Sequence, residues 1–301
     1  MGLHVVVGAG PVGTALAEQL LARDERVRVV TRSGGGLEGV ERITADAADT
    51  DRLIELATGA TAVYNCVNPP YHRWAQDWPP VAAALLQAAE RSGAVLATTA
   101  NLYGYGEVDA PMTERTPLAA TGTKGRVRNR MWHDAVAAHE AGRVRGFEVR
   151  GSDYLGGNSL LSMIITPAWR KSRTATLPVP LDVPHTFTDV RDVAALLIAG
   201  AADERAWGRA WHVPSDDPVT FRQLATVAAD QLEVPVKLRS LPYAAVWTAG
   251  LFNSTIRELR ETQHQFRKPF VLDSSAAQQT FGLKPHALDD SVRYDLANTP
   301  A

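Results

Sequence analysis

A chain of 301 residues with 45% apolar and 21% charged positions has enough hydrophobic material for one large or two modest globular domains. Its formal net charge is -2 with no lysine/arginine block, which removes the electrostatic footprint of a nucleic-acid or anionic-membrane binder and leaves small molecules as the expected partners. A single cysteine, Cys66, excludes an intramolecular disulfide, no apolar run reaches membrane-spanning length, and no signal peptide precedes the first apolar run, so the expected location is the cytoplasm.

The chain opens on the strand-like run Leu3–Val7, and Gly8-Ala9-Gly10-Pro11-Val12-Gly13 follows without a spacer. GxGxxG between a strand and a helix is a dinucleotide-binding pattern: the first glycine makes a tight turn, the second lets backbone approach a pyrophosphate, and the third lets helix pack on strand. The helix predicted over Val12 to Arg23 sets Val12, Leu16 and Leu20 on one face, and its free N–H groups and dipole suit a phosphate. Gly8, Gly10, Pro11, Val12 and Gly13 are therefore candidate cofactor residues; a plain turn between two core elements is the alternative.

Further strand-like runs at Val27–Val30, Ala62–Val67, Ala94–Thr98 and Phe147–Arg150 alternate with helical stretches. That alternation predicts an α/β fold, a doubly wound parallel sheet of Rossmann type. Cys66 lies in the third of these runs and reads as core. The second ends at Val30-Thr31-Arg32-Ser33, about twenty residues past the glycines, where an acid would read a ribose 2'-hydroxyl. Thr31 and Arg32 suit a 2'-phosphate instead, so NADP(H) is expected over NAD(H), unless Arg32 is solvated and Glu38 does the reading. Asp46 ends a short predicted strand and either contacts adenine or, like Asp49, caps the helix that follows.

The stretch Asn68-Pro69-Pro70-Tyr71-His72-Arg73-Trp74 contains successive prolines and predicts a loop over the site, offering Asn68 to the cofactor and Tyr71 to a substrate. A helix around Val81–Ala89 is apolar on more than one face, which suits a homodimer interface or, equally, a cover for the sheet.

By Thr98-Thr99-Ala100-Asn101-Leu102-Tyr103-Gly104 the pattern resembles the extended and atypical short-chain dehydrogenase/reductases, the NAD(P)-dependent epimerase/dehydratase group. Pro111-Met112-Thr113-Glu114, Arg150-Gly151-Ser152-Asp153-Tyr154-Leu155-Gly156 and His185 to Ala194 match as well, so the resemblance spans nearly the whole chain. It implies an oxidoreductase or epimerase acting on a carbonyl or hydroxyl of a small metabolite. It also implies a cofactor domain of residues 1–155 and 185–213 and a smaller, discontinuous substrate domain of residues 156–184 and 214–301.

The family's catalytic set is a Ser or Thr at the end of the fifth strand and a Tyr-x-x-x-Lys on the next helix. Thr99 fills the first position, but counting without gaps puts Lys124 at the family tyrosine and Arg128 at the family lysine. Another register keeps Lys124 as the lysine and puts Ala120 at the tyrosine. Three readings stay open. Lys124 is the acid/base, with like charge from Arg128 and burial lowering its pKa while Arg128 holds a ribose; or a relocated tyrosine, Tyr103 or Tyr154, moves the proton; or the fold is a non-catalytic NADP-binding regulator.

Beyond Arg150 the chain leaves the carboxyl end of a strand, where open α/β sheets bind ligands, making Tyr154 and Asn158 substrate candidates beside a turn-forming role for Gly156-Gly157-Asn158. Asp189 is expected to cap a helix starting near Val190. The basic run Arg170-Lys171-Ser172-Arg173, and Arg257, Arg260 and Arg267, suit either a diphosphate or solvent. No histidine has metal-ligand spacing, so no metal is expected.

Overall fold

The computed structural model describes residues 1–252 and 260–299, and Arg257 lies outside the described residues. In chain order the first elements are β1 (Leu3–Val7), α1 (Pro11–Leu21), β2 (Arg26–Thr31), β3 (Glu41–Thr44), α2 (Thr50–Ala57), β4 (Ala60–Asn65), α3 (Trp74–Ser92), β5 (Val95–Asn101), α4 (Thr123–Glu140) and β6 (Gly146–Gly151). Then come β7 (Asp153–Leu155), α5 (Thr166–Arg170), β8 (Ala175–Leu177), β9 (Phe187–Asp189), α6 (Val190–Ala201), β10 (Ala210–His212), α7 (Phe221–Leu232), β11 (Leu238–Ser240) and α8 (Tyr243–Phe252), with short helices at His264–Arg267, Ser275–Phe281 and Leu288–Ala297.

Seven strands form one parallel sheet in the order β10-β6-β5-β4-β1-β2-β3. Central parallel strands are covered on both faces, so their alternate residues feed two cores. Val6 packs with Leu16 and Leu20 of α1 and Val193 and Leu197 of α6 on one face. Val5 and Val7 pack with Leu53 of α2 and Trp74, Trp78 and Leu85 of α3 on the other. A third core gathers Leu161, Trp169, Leu177, Phe187, Phe221, Leu224 and Phe266 away from the sheet. Ala277 and Phe281, expected with the substrate lobe, pack into the α1/α6 core instead, Phe281 edge-on to Trp211 of β10.

Several boundaries move. The run holding Cys66 stops as a strand at Asn65, and Cys66 sits just past the carboxyl edge. Burial pushes its thiol up to about 12, so it stays protonated and acts as packing. The larger change is α3, which starts at Trp74 and runs through Pro79 and Pro80. Interior prolines remove helix hydrogen bonds. Here Trp74 and Trp78, one turn apart and 1% and 0% exposed, hold the segment down, and Trp74 Nε1 donates to the Pro69 carbonyl at 2.9 Å. Tertiary burial therefore overrides the local signal. The cap before α6 follows the local rule: Asp189 accepts from Arg191 N at 2.7 Å. Among the described residues no helix is long and apolar enough to cross a membrane.

Candidate active site

The chain reverses direction across the sheet between β1 and β4, and both strands end at the same edge, Val7 beside Asn65. That crevice is where a doubly wound fold admits a ligand. Gly8 turns the chain there with φ +104°, and a Cβ on it would lie 2.6 Å from the Cys66 carbonyl oxygen. A Cβ on Gly13 would collide with the Gly8 carbonyl oxygen, so only glycine lets α1 lie this close to β1. Gly10 is the opposite case: a Cβ there meets nothing within 4 Å, because the position faces the open crevice. Pro11 then starts α1 without using an N–H. This backbone cradle at a helix N-terminus fits a dinucleotide pyrophosphate.

At the end of β2, Arg32 is exposed, and Thr31 Oγ1 donates to the Gly35 carbonyl at 3.2 Å. Arg32 also acts across to α3, where Asp77 is held below the usual carboxylate range chiefly by its bond from Arg73, with Arg32 and His72 adding to it. Asp46 is exposed and accepts from Ala48 N at 2.9 Å, while Asp49 caps α2. Asn68 is exposed beyond β4.

Further along the same edge, β5 carries Thr99, and the chain turns at once into Tyr103. Tyr71, in a short turn before α3, meets Tyr103 hydroxyl to hydroxyl at 2.8 Å and stacks on Trp74 at 5.0 Å. Helix α4 closes the cluster. A Cβ on Gly125 would lie 2.6 Å from the Tyr103 carbonyl oxygen, so that glycine lets α4 rest on this turn. Lys124 and Arg128 share a face of α4, as their spacing predicts, and are 1% and 7% exposed. Thr99 Oγ1 lies 3.8 Å from Cys66 Sγ.

The two cations nevertheless go to different partners. The Arg128 guanidinium sits 4.8 Å from the Trp74 ring and 4.4 Å from the Trp78 ring and donates to the Thr99 carbonyl at 3.3 Å. Burial lowers its pKa and Glu148 offsets part of that. Lys124 Nζ lies 3.4 Å from Glu261 Oε2 and 5.7 Å from the Tyr71 ring centre, and Glu261 Oε1 accepts from Lys124 N at 2.6 Å. Lys124 thus gains a carboxylate from far along the chain in addition to the Arg128 cation that shares its helix face.

Residues 4–211 match the model of the NAD dependent epimerase/dehydratase family. The chain belongs to this family. A dTDP-6-deoxy-L-talose 4-dehydrogenase (NAD(P)(+)) from Kitasatospora kifunensis is 25% identical over 263 residues, covering 79% of this chain and 81% of that one. Among solved structures, dTDP-glucose 4,6-dehydratase from Bacillus anthracis in complex with NAD superposes with a TM-score of 0.79 at 12% identity, covering 99% and 97% of the two chains. A double mutant of dTDP-glucose 4,6-dehydratase from Streptomyces venezuelae with NAD and DAU bound gives 0.78 at 18% identity, covering 99% and 98%. Family membership makes this chain an enzyme of the short-chain dehydrogenase/reductase type that works through a nicotinamide nucleotide.

Of the two expected substrate residues, Tyr154 stays beside the cluster, close enough to Arg128 to feel its charge, while Asn158 lies in the exposed turn after β7. The Tyr154 hydroxyl donates to the Ala100 carbonyl, which fastens β7 over the sheet edge and commits that proton. Asn158 is exposed at φ 61°, in a turn clamped by Asp295, which accepts from Gly156 N at 2.7 Å and Gly157 N at 2.9 Å. Its neighbour Gly157 packs near Pro11, at the start of α1. Arg170, Lys171 and Arg173 are exposed, and Arg260 and Arg267 lie over the Trp247 and Tyr243 rings.

Below the cluster, buried charges brace the sheet edge. Glu148 and Arg150 pair at 2.7 Å, and Arg150 donates to the Tyr105 hydroxyl at 2.9 Å. His212 Nδ1 faces the Asp273 carbonyl at 2.8 Å, and a carbonyl cannot donate, so Nδ1 carries the proton and Nε2 accepts from Tyr105 at 2.7 Å. Sequence reasoning missed Glu261 and Gly125, since neither carries a local motif, and it did not pair Trp74 and Trp78 with Arg128. For Gly125 the adjacency to Lys124 was the available signal.

Proposed function

We propose that this enzyme uses NADP(H) in preference to NAD(H) to oxidise or reduce a carbinol or carbonyl carbon of a sugar linked to a nucleoside diphosphate. The observation that carries the reading is the placement of two sites on one sheet edge: a glycine cradle open at Gly10, and a cluster of Thr99, Tyr71, Tyr103, Lys124 and Arg128 at and around the end of β5. The relative that acts on a dTDP-linked deoxy sugar supports the substrate class.

Gly8, Gly10, Pro11, Val12 and Gly13 hold the pyrophosphate with backbone N–H groups and the α1 dipole. Thr31 and the exposed Arg32 take the 2'-phosphate, Asp46 and Asn68 flank the adenosine and nicotinamide ends, and Arg128 turns toward a ribose. Arg128 Nε is buried without a protein partner among the described residues, and a ribose hydroxyl would satisfy it. The bound nicotinamide supplies or takes a hydride. Thr99 holds the substrate oxygen by its hydroxyl, and Lys124 adds positive charge where an alkoxide develops. Residues 156–184 and 214–301, apart from the segment that packs on the sheet, form the lobe that brings substrate to this edge.

Fluorescence titration with NADPH and NADH, followed by assay of a panel of dTDP- and UDP-linked hexoses with NADP+ and NAD+ at 340 nm, tests the reading. Tighter NADPH binding with turnover of at least one nucleotide sugar is expected. Failure to bind either nucleotide would overturn it. Binding without turnover of any of them would set aside the nucleotide-sugar substrate class.

A further inference from the structure

We propose that Tyr103 passes the proton to and from the substrate oxygen and that Tyr71 relays it to solvent, the pair replacing the absent helix tyrosine. This rests on the redox reading above and names its acid/base.

The other groups near Thr99 are committed or unsuited. Tyr154 gives its proton to the Ala100 carbonyl. Lys124 is engaged by the Glu261 carboxylate. Arg128 does not exchange its proton near neutral pH. The tyrosine pair differs in its proton count: two hydroxyls 2.8 Å apart place one proton in the shared bond and leave the other for a third acceptor.

Position agrees. Tyr103 follows closely on the strand that carries Thr99 and is half-buried, while Tyr71, 39% exposed as a residue, is the more accessible of the two. The Trp74 ring, 5.0 Å from Tyr71 and 5.9 Å from Tyr103, holds both rings in place. The charged groups facing the pair are Lys124 and Arg128 of α4 and Asp153 of β7. Burial raises both phenols most, Asp153 raises them further and Arg128 opposes, so both hydroxyls keep their protons at neutral pH and the transfer must draw on the basicity of the developing alkoxide.

In the reductive direction the substrate carbonyl carbon gains a hydride from the reduced nicotinamide, and its oxygen takes the Tyr103 proton. The Tyr103 O–H bond breaks as the substrate O–H bond forms. Tyr103 recovers the proton of Tyr71, and Tyr71 is reprotonated by water. Oxidation runs the same transfers in reverse, with water taking the proton and the oxidised nicotinamide taking the hydride.

The test combines turnover with 13C NMR of protein labelled at the tyrosine phenol carbon, resonances being assigned from Tyr71→Phe and Tyr103→Phe. Tyr103→Phe is expected to lower kcat by about 10² to 10⁴-fold with NADPH affinity unchanged. Tyr71→Phe is expected to lower kcat less and to shift the pH profile. Adding NADP+ to the wild type should move the Tyr71 and Tyr103 resonances together, and Tyr71→Phe should abolish the Tyr103 response. A Tyr103→Phe enzyme at wild-type rate, or a full loss in Lys124→Met with none in Tyr103→Phe, overturns the pair. If NADPH binds but no nucleotide sugar turns over, the substrate reading fails by itself. The pair is then decided by NMR: joint movement on NADP+ addition upholds it, and unmoved resonances overturn it.

Discussion

The glycine cradle proposed for the cofactor and the side-chain cluster proposed for catalysis lie along one sheet edge but are built differently. The cradle comes from six consecutive residues, and its requirements fall on the backbone: a positive φ at Gly8, a close approach at Gly13, an open face at Gly10. The cluster draws Tyr71, Thr99, Tyr103, Lys124, Arg128 and Glu261 from separate segments, and its properties lie in which side chain meets which. A site made of backbone geometry tolerates little substitution and shows itself in sequence. A site made of side-chain partners can exchange its chemistry while the frame stays.

The sharpest way to break the comparison is at the glycines. Gly13→Val drives a side chain into the Gly8 carbonyl and should cost about 3 kcal/mol by overpacking and abolish NADPH binding, read by thermal melting and fluorescence. Gly10→Ala should leave the melt nearly unchanged, since nothing lies within 4 Å of its Cβ, while still weakening NADPH. If both variants melt normally and bind normally, the cradle is not a pyrophosphate site.

The cluster predicts the reverse separation. Thr99→Val should lower kcat by about 10 to 10²-fold, the worth of one hydrogen bond to a charged oxygen, with cofactor affinity and melting unchanged. An undiminished rate would remove Thr99 from the chemistry.

Asp189 belongs to the frame, and Asp189→Ala should cost about 1–2 kcal/mol at pH 7. Burial pushes this carboxyl up, but side-chain and backbone bonds from Arg191 outweigh it and hold the group below its ordinary value. A carboxylate depressed in the folded state contributes its full stability above its unfolded pKa and loses it as pH falls through the folded one. The gap between wild type and variant should therefore be constant near neutrality and close in strong acid, in melts taken across pH.

The smallest effect is at Arg32. Arg32→Ala should weaken NADPH about tenfold, one charge-assisted contact, and leave NADH unchanged. Equal losses for both would assign Arg32 to the fold or to Asp77.

Legibility follows the same division. β1, the glycine pattern, the parallel α/β alternation and the Asp189 cap were readable, because each is a local rule about spacing, turn chemistry or an unsatisfied N–H. The start of α3 was not, since Pro79 and Pro80 argue locally against a helix that two buried tryptophans sustain. Nor was the state of Lys124: spacing placed it correctly beside Arg128, but its partner is 137 residues away.

By itself, then, the sequence determined a doubly wound sheet, a glycine turn between its first strand and helix, and the position of Thr99 near the end of β5. Those features follow from steric and periodic rules that act within a few residues. Only the tertiary structure decided that Arg128 lies between two tryptophans, that Lys124 faces Glu261, and that the Tyr71 and Tyr103 hydroxyls are hydrogen-bonded to each other. Such pairings depend on distances between segments far apart in the chain, and electrostatic and hydrogen-bond energies fall too steeply with distance for spacing in sequence to reveal them.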